Sequence, residues 1–133
     1  MGKVKVILEA GKDGYGVSFE EIPNVFGFGE DVIDAKLNAK TALDGFVKIL
    51  EKQGKPLPEV LRGGYELEFE FEIEALLKHI EGVVTKVALS RASGINRVQL
   101  SHYSSGLKRP RREQREKIIK GLHKLGQELL SLS

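Results

Sequence analysis

Hydrophobic and polar positions alternate from Lys3 to Ala10, which puts Val4, Val6 and Leu8 on one face. Period two marks a half-buried strand, because successive side chains leave a strand on opposite sides. Gly11-Lys12-Asp13-Gly14 then reads as a tight turn, since two glycines and an Asp tolerate positive φ. Tyr15 to Phe19 alternates again, so the two runs predict a hairpin. Ile22-Pro23-Asn24-Val25 breaks the pattern. Phe26-Gly27-Phe28-Gly29 predicts a short third strand whose glycines mark a bulge or a close backbone approach. Tyr15, Phe26 and Phe28 are read as core.

The period then changes. Asp31 can N-cap a helix in which Val32, Ala35, Ala39, Ala42, Leu43, Phe46, Ile49 and Leu50 recur at three- and four-residue spacing. Gly54 ends it, and Pro56 and Pro58 forbid its resumption, so Lys55 to Gly64 is expected to be a loop. Tyr65 to Glu72 alternates strictly. Tyr65, Leu67, Phe69 and Phe71 are expected inward, with Glu66, Glu68, Glu70 and Glu72 outward. From Ile73 the spacing is helical through Leu76, Leu77 and Ile80. The pattern therefore predicts an α+β chain. A small β-β-β-α-β domain at residues 1–72 is followed, with almost no linker, by an all-α domain at residues 73–133.

Within the helical part the spacing is specific. Thr85 can cap a helix over Lys86–Ser93, Gly94-Ile95 makes a turn, and Asn96 can cap a second helix over Arg97–Ser104. Gly106 supplies a left-handed residue after it. Two short helices crossing steeply need a small residue at their contact, here Ser90, and a glycine in the turn, here Gly94. They also need apolar facing sides, here Leu89, Ile95, Leu100 and Tyr103. This is a helix-turn-helix. Ser93 departs from the pattern, which favours an apolar residue just before the turn glycine. A last helix carries Ile118, Ile119, Leu122, Leu125, Leu129, Leu130 and Leu132, an apolar stripe long enough to suggest a contact between copies.

Charge sharpens this division. Residues 1–72 hold nine basic and fourteen acidic side chains, a net −5, whereas residues 73–133 hold twelve and five, a net +7. A basic end on an acidic body points that end at a polyanion and leaves the other end free to meet a basic protein. The chain has no cysteine, which excludes disulfides and thiolate metal sites and fits a reducing cytoplasm. Its longest apolar runs fall far short of the ~20 residues that cross a bilayer. The start of the chain lacks the apolar core of a signal peptide.

Two resemblances follow. Thr85-Lys86-Val87-Ala88-Leu89-Ser90-Arg91-Ala92-Ser93-Gly94-Ile95, continued to Ser105-Gly106-Leu107-Lys108-Arg109-Pro110, resembles the helix-turn-helix of phage-type and XRE-type repressors. That resemblance implies that Arg97, Val98, Ser101 and His102 face base edges of double-stranded operator DNA. It places Lys86, Gln99, Lys108, Arg109 and Arg111 against phosphates. The bland alternative is a small bundle with a solvated basic face. Val4 to Glu9, Gly14 to Phe19, Ile22 to Glu30 and the alanine-rich Asp31 to Leu43 are similar to the N-terminal domain of HicB antitoxins. Asn24 stands where that family usually has a glycine after the proline. The resemblance implies a truncated, partial ribonuclease-H-like fold that covers the active site of HicA, a small basic mRNA-cleaving toxin. Glu66, Glu68, Glu70 and Glu72 are candidate toxin contacts, or else the solvated face of an edge strand.

Nothing in the sequence assembles a catalytic site. A ribonuclease-H-type nuclease needs several carboxylates converging on two metals. Glu9, Asp13, Glu20 and Glu21 are scattered about the first hairpin, and His79, His102 and His123 have no metal-ligand spacing. The expectation is a cytoplasmic, non-enzymatic antitoxin that also represses its own operon as a homodimer or homotetramer, without catalytic residues, metal or cofactor. The alternatives are a ligand-sensing repressor and a degenerate nuclease with residual RNA activity.

Overall fold

In the computed structural model, which describes residues 2–133, the chain forms a four-stranded mixed sheet and five α-helices, the last four of them consecutive. The strands are β1 (Gly2–Ala10), β2 (Tyr15–Phe19), β3 (Phe26–Gly29) and β4 (Tyr65–Phe71). The helices are α1 (Val32–Lys52), α2 (Ile73–Ile80), α3 (Lys86–Ser93), α4 (Arg97–Ser104) and α5 (Arg112–Leu130). Two compact units divide between Glu72 and Ile73. The first holds the sheet and α1, and the second holds α2 to α5. Among the described residues no helix is long and apolar enough to cross a membrane.

The sheet order is β3-β2-β1-β4. β1 pairs antiparallel with β2 and parallel with β4, with Leu8 opposite Val17 and Phe71. This register puts Val4, Val6, Leu8, Val17 and Phe19 on one face, all buried, under the alanine side of α1. Burial of each such side chain stabilises by roughly 1.5–3 kcal/mol. Asp31 caps α1 as its type requires, accepting from the Asp34 amide at 2.7 Å, while the Asp34 carboxylate accepts from the Glu30 amide at 2.9 Å. The apolar spacing of α1 runs beyond the sheet: Val32, Ala35, Ala39 and Leu43 are buried, but Ile49 is 57% exposed. The connection after α1 is not wholly irregular. Glu59–Leu61 forms a 3-10 turn that buries Leu61.

Two expectations change here, and the close approach in β3 is located. Gly11 and Gly14 do not have positive φ. Gly14 is required by space, because a Cβ there would overlap the Gly29 carbonyl and the Phe28 ring. Gly29 is the close approach anticipated in β3, since a Cβ there would run into the backbone of Ala35 on α1. Tyr15 is buried, but Phe26 and Phe28 are exposed rather than core. The glycines of β3 take the side facing α1, so the phenylalanines must take the other.

On β4, Leu67, Phe69 and Phe71 are half-buried, as edge-strand residues are, and Lys36 lies 5.1 Å above the Phe69 ring. The Tyr65 hydroxyl donates to the Asp44 carboxylate. Burial first, and then that carboxylate, push the Tyr65 phenol up to about 12.

Two outcomes are expected. Gly29→Ala should cost the first unit about 3 kcal/mol by overpacking against backbone. Gly16→Ala, where a Cβ meets nothing within 4 Å, should shift stability by no more than ~0.5 kcal/mol. Urea unfolding compares the two. Between pH 10 and 12 the folded state keeps the Tyr65 proton that the unfolded chain releases, so stability falls as pH rises through that window. Tyr65→Phe should flatten that fall in an alkaline stability series.

Candidate nucleic-acid interface

The second unit is built by caps and one left-handed turn. Thr85 Oγ1 accepts from the Ala88 amide at 3.0 Å, which starts α3. Gly94 ends it at φ 78, ψ 8, and its amide donates to the Ser90 carbonyl at 2.9 Å. An L side chain is disfavoured in that conformation, so the turn needs the glycine. Asn96 Oδ1 then accepts from the Gln99 amide at 2.8 Å and starts α4 only two residues later. Leu89, Ile95, Leu100 and Tyr103 are buried together with Ile73, Leu77 and Ile118, which is the core expected of them.

Ser93 also finds its reason. A Cβ on Gly121 of α5 would lie 2.9 Å from the Ser93 Cβ and 3.0 Å from its Cα. The two helices therefore meet backbone to backbone, and an apolar side chain before the turn would hold them apart. Ser93 Oγ further accepts from the Ile95 amide at 3.2 Å, filling a turn donor. Ser90, expected at the crossing, is half-buried.

Two open grooves flank α4. One, of about 360 Å³, is lined by Lys86 and Val87 at the start of α3 and by Arg97, Val98 and Ser101 at the start of α4. It gathers three of the four expected base-reading residues, and Val98 is 66% exposed there. His102 does not line it. The ring is half-buried, and Nδ1 is enclosed without a hydrogen-bond partner among the described residues. Lys86, expected on phosphate, shares this groove with Arg97, Val98 and Ser101, which were expected on base edges.

The other groove, of about 450 Å³, is lined by Gln99, Tyr103, Lys108, Arg109, Arg111 and Gln114. It collects the remaining four expected phosphate contacts. Gly106, at φ 79, turns the chain into this loop, and a Cβ there would overlap the Glu74 carboxylate of α2. The Lys108 amide donates to the His102 carbonyl at 3.2 Å, which holds the loop against the end of α4. Gln99 Nε2 donates to the Tyr103 hydroxyl at 2.9 Å. The hydroxyl oxygen therefore accepts from Gln99, and its O–H lines the groove as a donor.

Among the described residues Lys86, Arg97, Lys108, Arg109 and Arg111 form no ion pair with a carboxylate. Their charge is left to meet an anion. The two grooves are thus lined by cations and neutral polar groups, with two valine side chains beside Arg97 and, among the described residues, no carboxylate. Val87, Gln114 and the Tyr103 hydroxyl are additions to the residues expected from sequence. Val87 carried a usable signal, an apolar residue next to Lys86 in the first turn of a helix whose buried face is set by Leu89. Gln114 carried none. Glu66, Glu68 and Glu70 stay on the sheet face away from α1, and Glu72 follows β4, its amide donating to the Leu8 carbonyl at 2.9 Å. Among the described residues no group of three His, Asp or Glu side chains is arranged to hold a metal ion.

Gly121→Val should separate α5 from α3. The expected cost is about 1–3 kcal/mol, read by thermal unfolding followed by circular dichroism.

Compared with models of known protein families and with curated proteins, the chain matches none.

Proposed function

We propose that this chain is a non-enzymatic antitoxin that binds a small basic RNA-cleaving toxin of HicA type and represses its own operon. The observation that carries the DNA half is the groove at the start of α4, where Arg97, Val98 and Ser101 sit open beside Lys86. A helix N-terminus presented in this way fits the major groove, which is about 12 Å wide and is read through base edges. Arg97 offers a bidentate pair of donors to guanine O6 and N7, and Val98 and Val87 offer contact to thymine methyl groups. Lys108, Arg109, Arg111, Gln99 and the Tyr103 hydroxyl hold the phosphates, which set affinity and register.

In this reading the second unit is an XRE-type DNA-binding domain. The first unit is a partial ribonuclease-H-like domain used for binding and not for catalysis. Its net charge of −5 suits a basic, RNA-binding partner. Leu129 and Leu130 at the end of α5 and Leu132 just past it are 59–79% exposed, beyond the core that Ile118, Ile119, Leu122 and Leu125 help to close. A second copy would cover them. Two-fold symmetry would then set two α4 helices about 34–36 Å apart, one turn of the duplex. The protein acts in the cytoplasm, where both its operator and the messenger RNA lie.

Co-expression with the adjoining reading frame tests the proposal: growth should be rescued and a complex should co-purify. A non-toxic neighbour that forms no complex refutes it. Separately, Arg97→Ala should cost about 1–3 kcal/mol of affinity for the upstream DNA, roughly 5- to 150-fold. Lys108→Ala should instead weaken all duplexes alike and lower the salt slope by about one. Electrophoretic mobility shifts at two salt concentrations separate the two effects.

A further inference from the structure

The exposure of Phe26 (69%) and Phe28 (48%) follows from register. Gly27 pairs with Val17 and Gly29 with Tyr15, so both glycines share the face covered by α1. Phe26 pairs with Ser18 and Phe28 with Gly16, on the opposite face. Continuing across the sheet, Ser18 is opposite Ile7 and then Glu70, while Gly16 is opposite Glu9. Lys5 and Glu68, then Lys3 and Glu66, complete this second face. Phe26, Phe28, Glu9, Glu66 and Glu68 are exposed on it.

The Phe28 ring is laid against the turn before β2, near Gly11 and Gly14. Beside it Gly16 is bare, since a Cβ there would meet nothing within 4 Å. An aromatic edge and the Glu9 carboxylate thus stand on either side of a glycine floor. The β3 and β1 backbones lie about 10 Å apart on either side of β2, and with the Phe28 ring leaning over the turn end at Gly11 and Gly14 the surface above Gly16 is left open to one planar guanidinium. The face is also acidic in effect. Its Lys5 amine lies 3.5 Å from Glu20 and 3.7 Å from Glu70 and is already engaged. Glu68 lies opposite Lys5 and adds to the pull on it, and Glu9 and Glu66 remain against Lys3.

Exposed apolar side chains gathered on one face mark an interaction surface more often than chance. Carboxylates around them repel nucleic acid, and they repel the same face of a second copy. We infer that this open face of the sheet docks a basic protein, with an arginine of the partner seated over Gly16 between Phe28 and Glu9, and with Phe26 as the apolar anchor beside it. Arg over an aromatic ring with a carboxylate in reach combines cation–π attraction with an ion pair. The inference rests on the antitoxin reading and names the surface that reading leaves open.

The probe is the purified product of the adjoining reading frame, titrated calorimetrically into the full chain. Gly16→Leu fills the floor, Phe26→Ser removes the anchor and Glu9→Gln removes the charge. Each should weaken the complex about tenfold or more while unfolding midpoint and duplex affinity stay unchanged. Glu9→Gln should also reduce the salt dependence. If the native chain binds the probe and the three variants bind as tightly, the face is overturned and the antitoxin reading stands. If the native chain does not bind the probe, both fall. If the variants change only the oligomeric state of the free chain, the face is a contact between copies and the inference fails.

Discussion

The left-handed turn at Gly94 is the constraint on which the presentation of α4 depends. It lets α3 stop and α4 begin with only three residues between them, so the two short helices cross instead of continuing as one. Eight-residue helices are marginal by themselves, because nucleation costs more than a few hydrogen bonds return. Caps at Thr85 and Asn96 and the shared core with Ile73, Leu77 and Ile118 make up the difference. The start of α4 is then held rigidly at the surface, with Arg97 and Val98 free because Leu100 and Tyr103 are committed inward.

Close approach without side chains is the second recurring device. Gly121 against Ser93 brings α5 onto α3, and Gly29 against Ala35 brings β3 onto α1. In both places backbone meets backbone, so the contact tolerates no extra carbon. The β3 contact has a consequence for the opposite face as well. A strand that gives its glycines to the helix must present its large residues elsewhere, and Phe26 and Phe28 are presented to solvent.

Charge follows a simpler rule. Among the described residues no polar or charged side chain is fully buried, so both units carry their charge outside. Ion pairs on such surfaces contribute little to stability. The cations of the second unit and the carboxylates of the first are therefore better understood through what they attract than through what they hold together. Lys5, bridged by Glu20 and Glu70, is the place where the acidic face partly satisfies itself, and those carboxylates raise its pKa.

Periodicity alone determined the elements, because the alternation of β1, β2 and β4 and the three-to-four spacing of the helices are local geometry. Cap chemistry did the same for the ends at Asp31, Thr85, Asn96 and Gly94, since each side chain acts on backbone within a few residues of itself. The basic character of the α4 surface was equally legible, as charge needs no packing to be seen. Tertiary structure alone decided which small residues were essential. Ser93 and Gly121 matter through a partner distant in the chain, and no local pattern records that distance; the alternating glycines of β3 anticipated a close approach, but only the packing of Ala35 fixed Gly29 as the one that makes it. It also decided the facing of Phe26 and Phe28, which local pattern assigns to a core, and the enclosure of His102 apart from Arg97, Val98 and Ser101. In each case the deciding contact lies on another element, and the chain reads its own neighbours far better than it reads the elements packed against it.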